Sequence, residues 1–173
     1  MKAALITIGN ELLIGDIINT NAAWMGTFLM QRHVSPVYSI TIGDDAAAIV
    51  SALDQALEAA DFVFITGGLG PTHDDITKHI LADYTGGTLV EHTETRETII
   101  RNFKQRGIPI SESNLAQALV PDSAEVLFNS RGTAPGMWFD LKPETAAGNK
   151  GVIVAMPGVP AEMKHLMEHK VWP

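Results

Sequence analysis

The chain has 173 residues, a formal charge of −8 and no cysteine, with 46% hydrophobic and 18% charged residues. Such a length and composition suit one globular domain with a real core and exclude a disordered chain. The charge argues against a general nucleic-acid or anionic-membrane surface, and the missing cysteine excludes disulfide scaffolds, thiolate zinc sites and cysteine nucleophiles.

Strand and helix signals alternate along the chain. Ala3 to Ile8 is a short apolar run closed by Gly9, too short for a secretory signal, and reads as a strand. A polar loop, Gly9 to Asn21, leads to helical spacing at Ala22, Met25, Phe28 and Leu29, with Asn21 as the expected cap. Val37 to Ile42 alternates as a half-buried strand. Asp44-Asp45 opens a helix with the stripe Ile49, Leu53, Ala56, Leu57 and Ala60. Phe62 to Thr66 is apolar without alternation, as in a strand covered on both faces. Helices are expected over Ile76 to Tyr84, Thr95 to Arg106 and Glu112 to Leu119, and a short strand over Glu125 to Phe128. Trp138 to Leu141 and Val152 to Met156 read as a hairpin around Lys142 to Gly151, followed by a last helix, Glu162 to His169. The end at Lys170 to Pro173, directly after that pattern, reads as a domain edge. No run approaches the ~18 apolar residues of a membrane helix, and a cytoplasmic location is the expectation.

This order predicts an α/β fold: an open, mostly parallel sheet with helices on both faces. Sites in such sheets lie at the carboxyl ends of the strands. The loops Gly9 to Asn21, Gly67 to Asp75 and Pro157 to Pro160 leave those ends.

The most specific segment is Thr66-Gly67-Gly68-Leu69-Gly70-Pro71-Thr72-His73-Asp74-Asp75-Ile76-Thr77. Its glycines let the backbone turn sharply and approach a ligand, and the following helix start favours phosphate. It matches neither the P-loop nor the dinucleotide fingerprint. Asp74 and Asp75 would repel an anion unless Mg²⁺ or Mn²⁺ sat between them. Helix capping by one of the two stands beside that role. In the first loop, Asn10, Glu11 and Asp16 offer further oxygens, Glu11 and Asp16 as metal ligands or to orient water, with plain solvation as the alternative. Arg131 could neutralise phosphate, though a loop arginine is more often solvated, and Glu162 is favourable near a helix start through the dipole alone. His165 and His169 read as a solvated helix face.

The glycine loop with Asp74-Asp75, Gly132-Thr133-Ala134-Pro135-Gly136, Pro157-Gly158-Val159-Pro160-x-Glu162-Met163, and the opening Gly9-Asn10-Glu11-Leu12-Leu13-x-Gly15 with Asn21 resemble, in this order, the amino-terminal domain of the CinA (competence/damage-inducible protein) family. The resemblance covers essentially the whole chain as a single domain, residues 1–173. It implies a three-layer α/β sandwich of the molybdopterin-binding fold shared with MogA and MoaB, usually homo-oligomeric. It also implies divalent-metal-dependent ADP-ribose pyrophosphatase activity, with Asp74, Asp75 and Glu11 catalytic and Asp74, Asp75 and Asp16 toward the metal. Residues implied to contact a nucleotide or pterin are Gly9, Asn10, Asn21, Thr66, Gly67, Gly68, Leu69, Gly70, Pro71, Thr72, Thr77, Asn114, Gln117, Asn129, Gly132 to Gly136, Pro157, Gly158, Pro160 and Glu162. The family's Asn-x-Lys-Gln-Ala element falls on Asn114 to Ala118, with Ala116 in place of the lysine. That departure keeps a non-catalytic binding module open; nucleotidyl transfer to a pterin, which would use the same loops, is a further alternative.

Overall fold

The first strand, β1 (Lys2–Ile8), pairs on both sides in parallel, with β2 (Ser35–Ile42) and β3 (Phe62–Thr66). The fold is that of a computed structural model, which describes residues 1–72, 75–142 and 150–172. After β1 come α1 (Asn10–Leu13), α2 (Thr20–Met30), β2 (Ser35–Ile42), α3 (Ala46–Ala59), β3 (Phe62–Thr66) and α4 (Thr77–Thr85). Then follow β4 (Leu89–Glu91), α5 (Thr93–Arg106), α6 (Glu112–Leu115), a 3₁₀ turn (Ala116–Ala118), β5 (Leu119–Pro121) and β6 (Glu125–Leu127). The chain closes with β7 (Gly136–Leu141), β8 (Gly151–Met156), α7 (Pro160–Leu166) and a π-helical turn (Met167–Val171).

Six strands form one sheet in the order β2-β1-β3-β8-β7-β6. The pairs from β2 through β8 are parallel, and β7 and β6 close the edge antiparallel. Side chains of successive strand residues point to opposite faces, and both faces are covered. Ile6, Val63, Ile65 and Ile153 pack with Ile49 and Leu53 of α3 and Leu81 of α4. Leu5, Phe64 and Val154 pack on the other face with Met25 and Leu29 of α2 and Met163 and Leu166 of α7. The unbroken apolar run in β3 is explained by this, since Val63, Phe64 and Ile65 are all buried. The expected mostly parallel sheet with helices on both faces is therefore present, as is the β7–β8 hairpin. Residues 143–149, within its connection, lie outside the described residues.

Three expectations are corrected. Glu112 to Leu119 is not one helix: it breaks after Leu115 into the 3₁₀ turn, and Leu119 enters β5, which pairs with β4 in a separate two-stranded antiparallel sheet. Asn10 to Leu13, expected in a loop, forms a single helical turn. Asn21 does not cap α2. Asn19 does, its Oδ1 accepting from Ala22 N at 3.0 Å, and Asn21 lies inside the helix. No helix among the described residues is long and apolar enough to cross a membrane.

Candidate functional site

A cavity of about 640 Å³ opens at the carboxyl ends of β1, β3 and β8. Its walls come from residues 7–12 and 17–21, from 66–72 with Asp75, and from 157–160 with Glu162; Asp44, Gln117, Thr133 and Ala134 complete them.

The glycine turn is built by strand pairing. Gly67 N donates to Met156 O at 3.1 Å, so the turn leaves β3 still tied to β8. Gly67 has φ +109°, and a Cβ there would collide with the Ile8 carbonyl of β1. Only glycine permits both the backbone angle and that approach. Downstream, Asp75 bends back into the turn. Its Oδ2 accepts from Thr72 N at 2.9 Å and from the Thr72 hydroxyl. α4 itself starts at Thr77 with no side-chain cap at Ile76, so Asp75 braces the loop.

The opposite wall is held by Asn129. Its Nδ2 donates to Ala134 O at 2.9 Å and to Glu162 Oε2 at 2.6 Å, while its Oδ1 accepts from Arg131 N at 3.0 Å. Glu162 lies so close over Gly132 that any Cβ there would strike its carboxylate. Burial raises the Glu162 carboxyl above its ordinary range, and the Asn129 bond offsets part of that shift. On the α4 side, Lys78 is buried, and its ammonium donates to Ala116 O. Burial lowers its pKa, with Asp75 opposing.

Of the residues singled out in the sequence, Gly9, Asn10, Glu11, Asn21, Thr66 to Thr72, Asp75, Gln117, Thr133, Ala134, Pro157, Gly158, Pro160 and Glu162 line this cavity. Asp74 lies outside the described residues. Others stand apart from the lining. Asp16 is exposed beyond α1. Asn114 closes a capping box with Ser111. Thr77 packs beneath Gly68, and Gly136 packs against Leu166 and Leu127. Asn129 and Gly132 support Glu162 from behind, and Pro135 is likewise outside the lining.

Sequence reasoning missed Thr7, Ile17, Ile18 and Asp44, which also line the cavity. Thr7 carried a signal: it is the polar residue near the end of an apolar strand, as Thr66 is of β3. Asp44 did not, because its pairing with Asn10 (Asn10 N to Asp44 Oδ2, 3.2 Å; Asp44 N to Asn10 Oδ1, 3.3 Å) joins residues distant in sequence.

The cavity lining carries the carboxylates of Glu11, Asp44, Asp75 and Glu162, and among the described lining residues no Lys or Arg. Among the described residues no three His, Asp or Glu side chains converge as a metal cage. Buried oxygens without a protein partner are concentrated here: Thr7 Oγ1, Asn21 Oδ1 and Gln117 Oε1 belong to lining residues, and Thr77 Oγ1 to the residue under Gly68. Buried polar groups are normally paired, so this concentration suits a wall that meets a polar ligand.

The fold and this cavity define a class. The family model described as "Probable molybdopterin binding domain" matches residues 4–173. CinA-like proteins of Akkermansia muciniphila and Salinibacter ruber are each 42% identical over 173 residues, covering 100% of this chain and 40% of the relative. The chain thus spans about 40% of the length of these curated relatives. Among solved structures, CinA of Thermoplasma acidophilum is 34% identical with a TM-score of 0.82, covering 96% of this chain and 94% of that one. The tungsten cofactor synthesizing protein MoaB of Pyrococcus furiosus shares the fold, with 18% identity, a TM-score of 0.61 and coverage of 99% and 92%. The chain belongs to the molybdopterin-binding-domain family and, within it, to the CinA-like proteins.

Proposed function

We propose that the cavity binds a phosphate-bearing nucleotide or pterin and, with Mg²⁺ or Mn²⁺, hydrolyses the phosphoanhydride of a nucleoside diphosphate sugar, with ADP-ribose as substrate. The observation that carries this reading is the junction of the Gly67 turn with the Asp75 carboxylate, in a cavity lined by four carboxylates. Such a wall repels a bare diphosphate and favours one that arrives with a cation. Mg²⁺ takes one or two carboxylates and completes its shell with water and phosphate oxygens, so it needs no preformed cage. The oxygen donors fit it: Asp75, with Asp74, would hold the ion. When bound, the cation supplies polarisation of the phosphoanhydride oxygens. In this reading Glu11 takes a proton from the attacking water. A P–O bond forms as the bridging P–O bond breaks, yielding AMP and ribose 5-phosphate.

The test is AMP release from ADP-ribose with Mn²⁺ or Mg²⁺. Asp75→Asn is expected to lower turnover by about 100-fold or more, the scale of a lost catalytic carboxylate. Undiminished turnover would remove Asp75 from the chemistry.

A binding-only module is the second reading, favoured by Ala116. The position where the resembling motif carries a lysine offers only a methyl group here, and its carbonyl is taken by Lys78. Calorimetry with ADP-ribose, AMP and molybdopterin separates the two: tight binding without turnover supports the module. Pyrophosphate release from ATP with molybdopterin would instead identify nucleotidyl transfer.

A further inference from the structure

Asn21 sits in the first turn of α2, buried to 6% exposure, and is freed from capping by Asn19. Its amide orientation is fixed by a chain of hydrogen bonds. The Thr66 hydroxyl donates its one proton to Pro157 O at 2.9 Å, so toward Asn21 the Thr66 oxygen can only accept. Asn21 Nδ2 donates to that oxygen at 3.2 Å and to Gly158 O at 2.8 Å. Both amide hydrogens are therefore spent, and a flipped amide would set oxygen against oxygen. Asn21 Oδ1 is an acceptor by necessity, and it has no protein partner. Thr7 stands beside Thr66 in the β1–β3 register, with its side chain on the same face of the sheet. Its hydroxyl is also buried and unpartnered. Both residues line the cavity.

Ionised phosphate oxygens accept hydrogen bonds and have no proton to give, so a phosphate cannot satisfy Asn21 Oδ1. We propose that Asn21 Oδ1 and the Thr7 hydroxyl together receive the hydrogen-bond-donating part of the ligand, a sugar hydroxyl or a ring or amino N–H, and so fix its direction in the cavity. The phosphates lie toward Gly67 and Asp75, and the donor-bearing group lies toward α2. The turn Pro157-Gly158 acts at a distance, because it locks the amide that does the reading. This inference rests on the cavity being a site for a phosphate-bearing ligand.

The test is calorimetry in Mg²⁺ with AMP, inorganic pyrophosphate and the α,β-methylene analogue of ADP-ribose, which cannot be hydrolysed and stands for ADP-ribose below, on the wild-type chain, Thr7→Val and Asn21→Leu. Thr7→Val keeps the shape and the amide lock. It is expected to weaken ADP-ribose and AMP about 10-fold, the scale of one buried hydrogen bond, to leave pyrophosphate within about 2-fold, and to leave the thermal midpoint equal or higher. Asn21→Leu is expected to weaken the same two ligands by more and again to spare pyrophosphate. Purine riboside monophosphate, which lacks the amino group, and the 2′- and 3′-deoxy forms of AMP identify the donor as N–H or hydroxyl. Equal weakening of all three ligands by Thr7→Val, or no weakening of any, overturns the inference. Failure of the wild-type chain to bind any of them overturns the ligand reading itself and the inference with it.

Discussion

Glu162 couples the far wall of the cavity to pH. Its carboxyl titrates above the ordinary 4.5 because burial disfavours the charged form. For an acid whose folded pKa is raised, the folded state holds the proton more tightly than the unfolded chain. The stability this provides is complete below pH 4.5 and is lost as pH rises through the folded value. Urea midpoints measured across that window are expected to fall for the wild-type chain relative to Glu162→Gln, with a constant difference at lower pH. Gly132→Ala is expected to displace Glu162 from Asn129 and to change the same pH slope, because the new Cβ takes the carboxylate's space. Parts of this were legible in the sequence. The Gly67 turn announced itself by composition, and Glu162 by its place in the first turn of a helix. That Gly132 sits under Glu162 was not legible, since the contact depends on how residues 129–134 fold against α7. Asn21 was misread for a similar reason. Asn19 and Asn21 are both good caps by type, and what draws Asn21 inward is Gly158, 137 residues later.

Among the elements, α3 was readable almost to the residue. Asp45 accepts from Ala48 N at 2.8 Å, and the predicted Ile49, Leu53, Ala56 and Leu57 are buried, joined by Ala52, which was not predicted, while Ala60 is the C-cap. Asp45→Ala is expected to cost about 1 kcal/mol, as lost N-caps do, read as a lower thermal midpoint with the cavity unchanged. The short elements were not readable. β4 and β5 have three residues each and α1 four, too few for periodicity to register. β5 in particular is made by its partner: Leu119–Pro121 pairs with Leu89–Glu91 across 30 residues, a tertiary choice that overrides the helical look of Glu112 to Leu119.

At the scale of the whole molecule, each sheet face has its own core, and both depend on the same central strand. Ile65 and Phe64 are adjacent in sequence yet belong to opposite cores. Ile65→Ala is expected to cost 2–5 kcal/mol, the range for emptying a buried aliphatic site, measured by chemical denaturation. The fold class was legible because alternation and unbroken apolar runs report directly on one-sided and two-sided burial. The cavity was legible only as three loops at strand ends, because its shape is a property of the assembled sheet.

The strand order carries a consequence for how that cavity comes into being. Ile8, Thr66 and Met156 end the three adjacent strands at whose carboxyl ends it opens, and the middle one pairs with both β1 and β8, which lie far apart in sequence. On the ribosome, β1 and β3 emerge early, yet the turn that locks Asn21 waits for Gly158. A ligand that selects the finished sheet then acts as a clasp on the whole molecule, slowing exchange of its most protected amides along with those of the loops it touches.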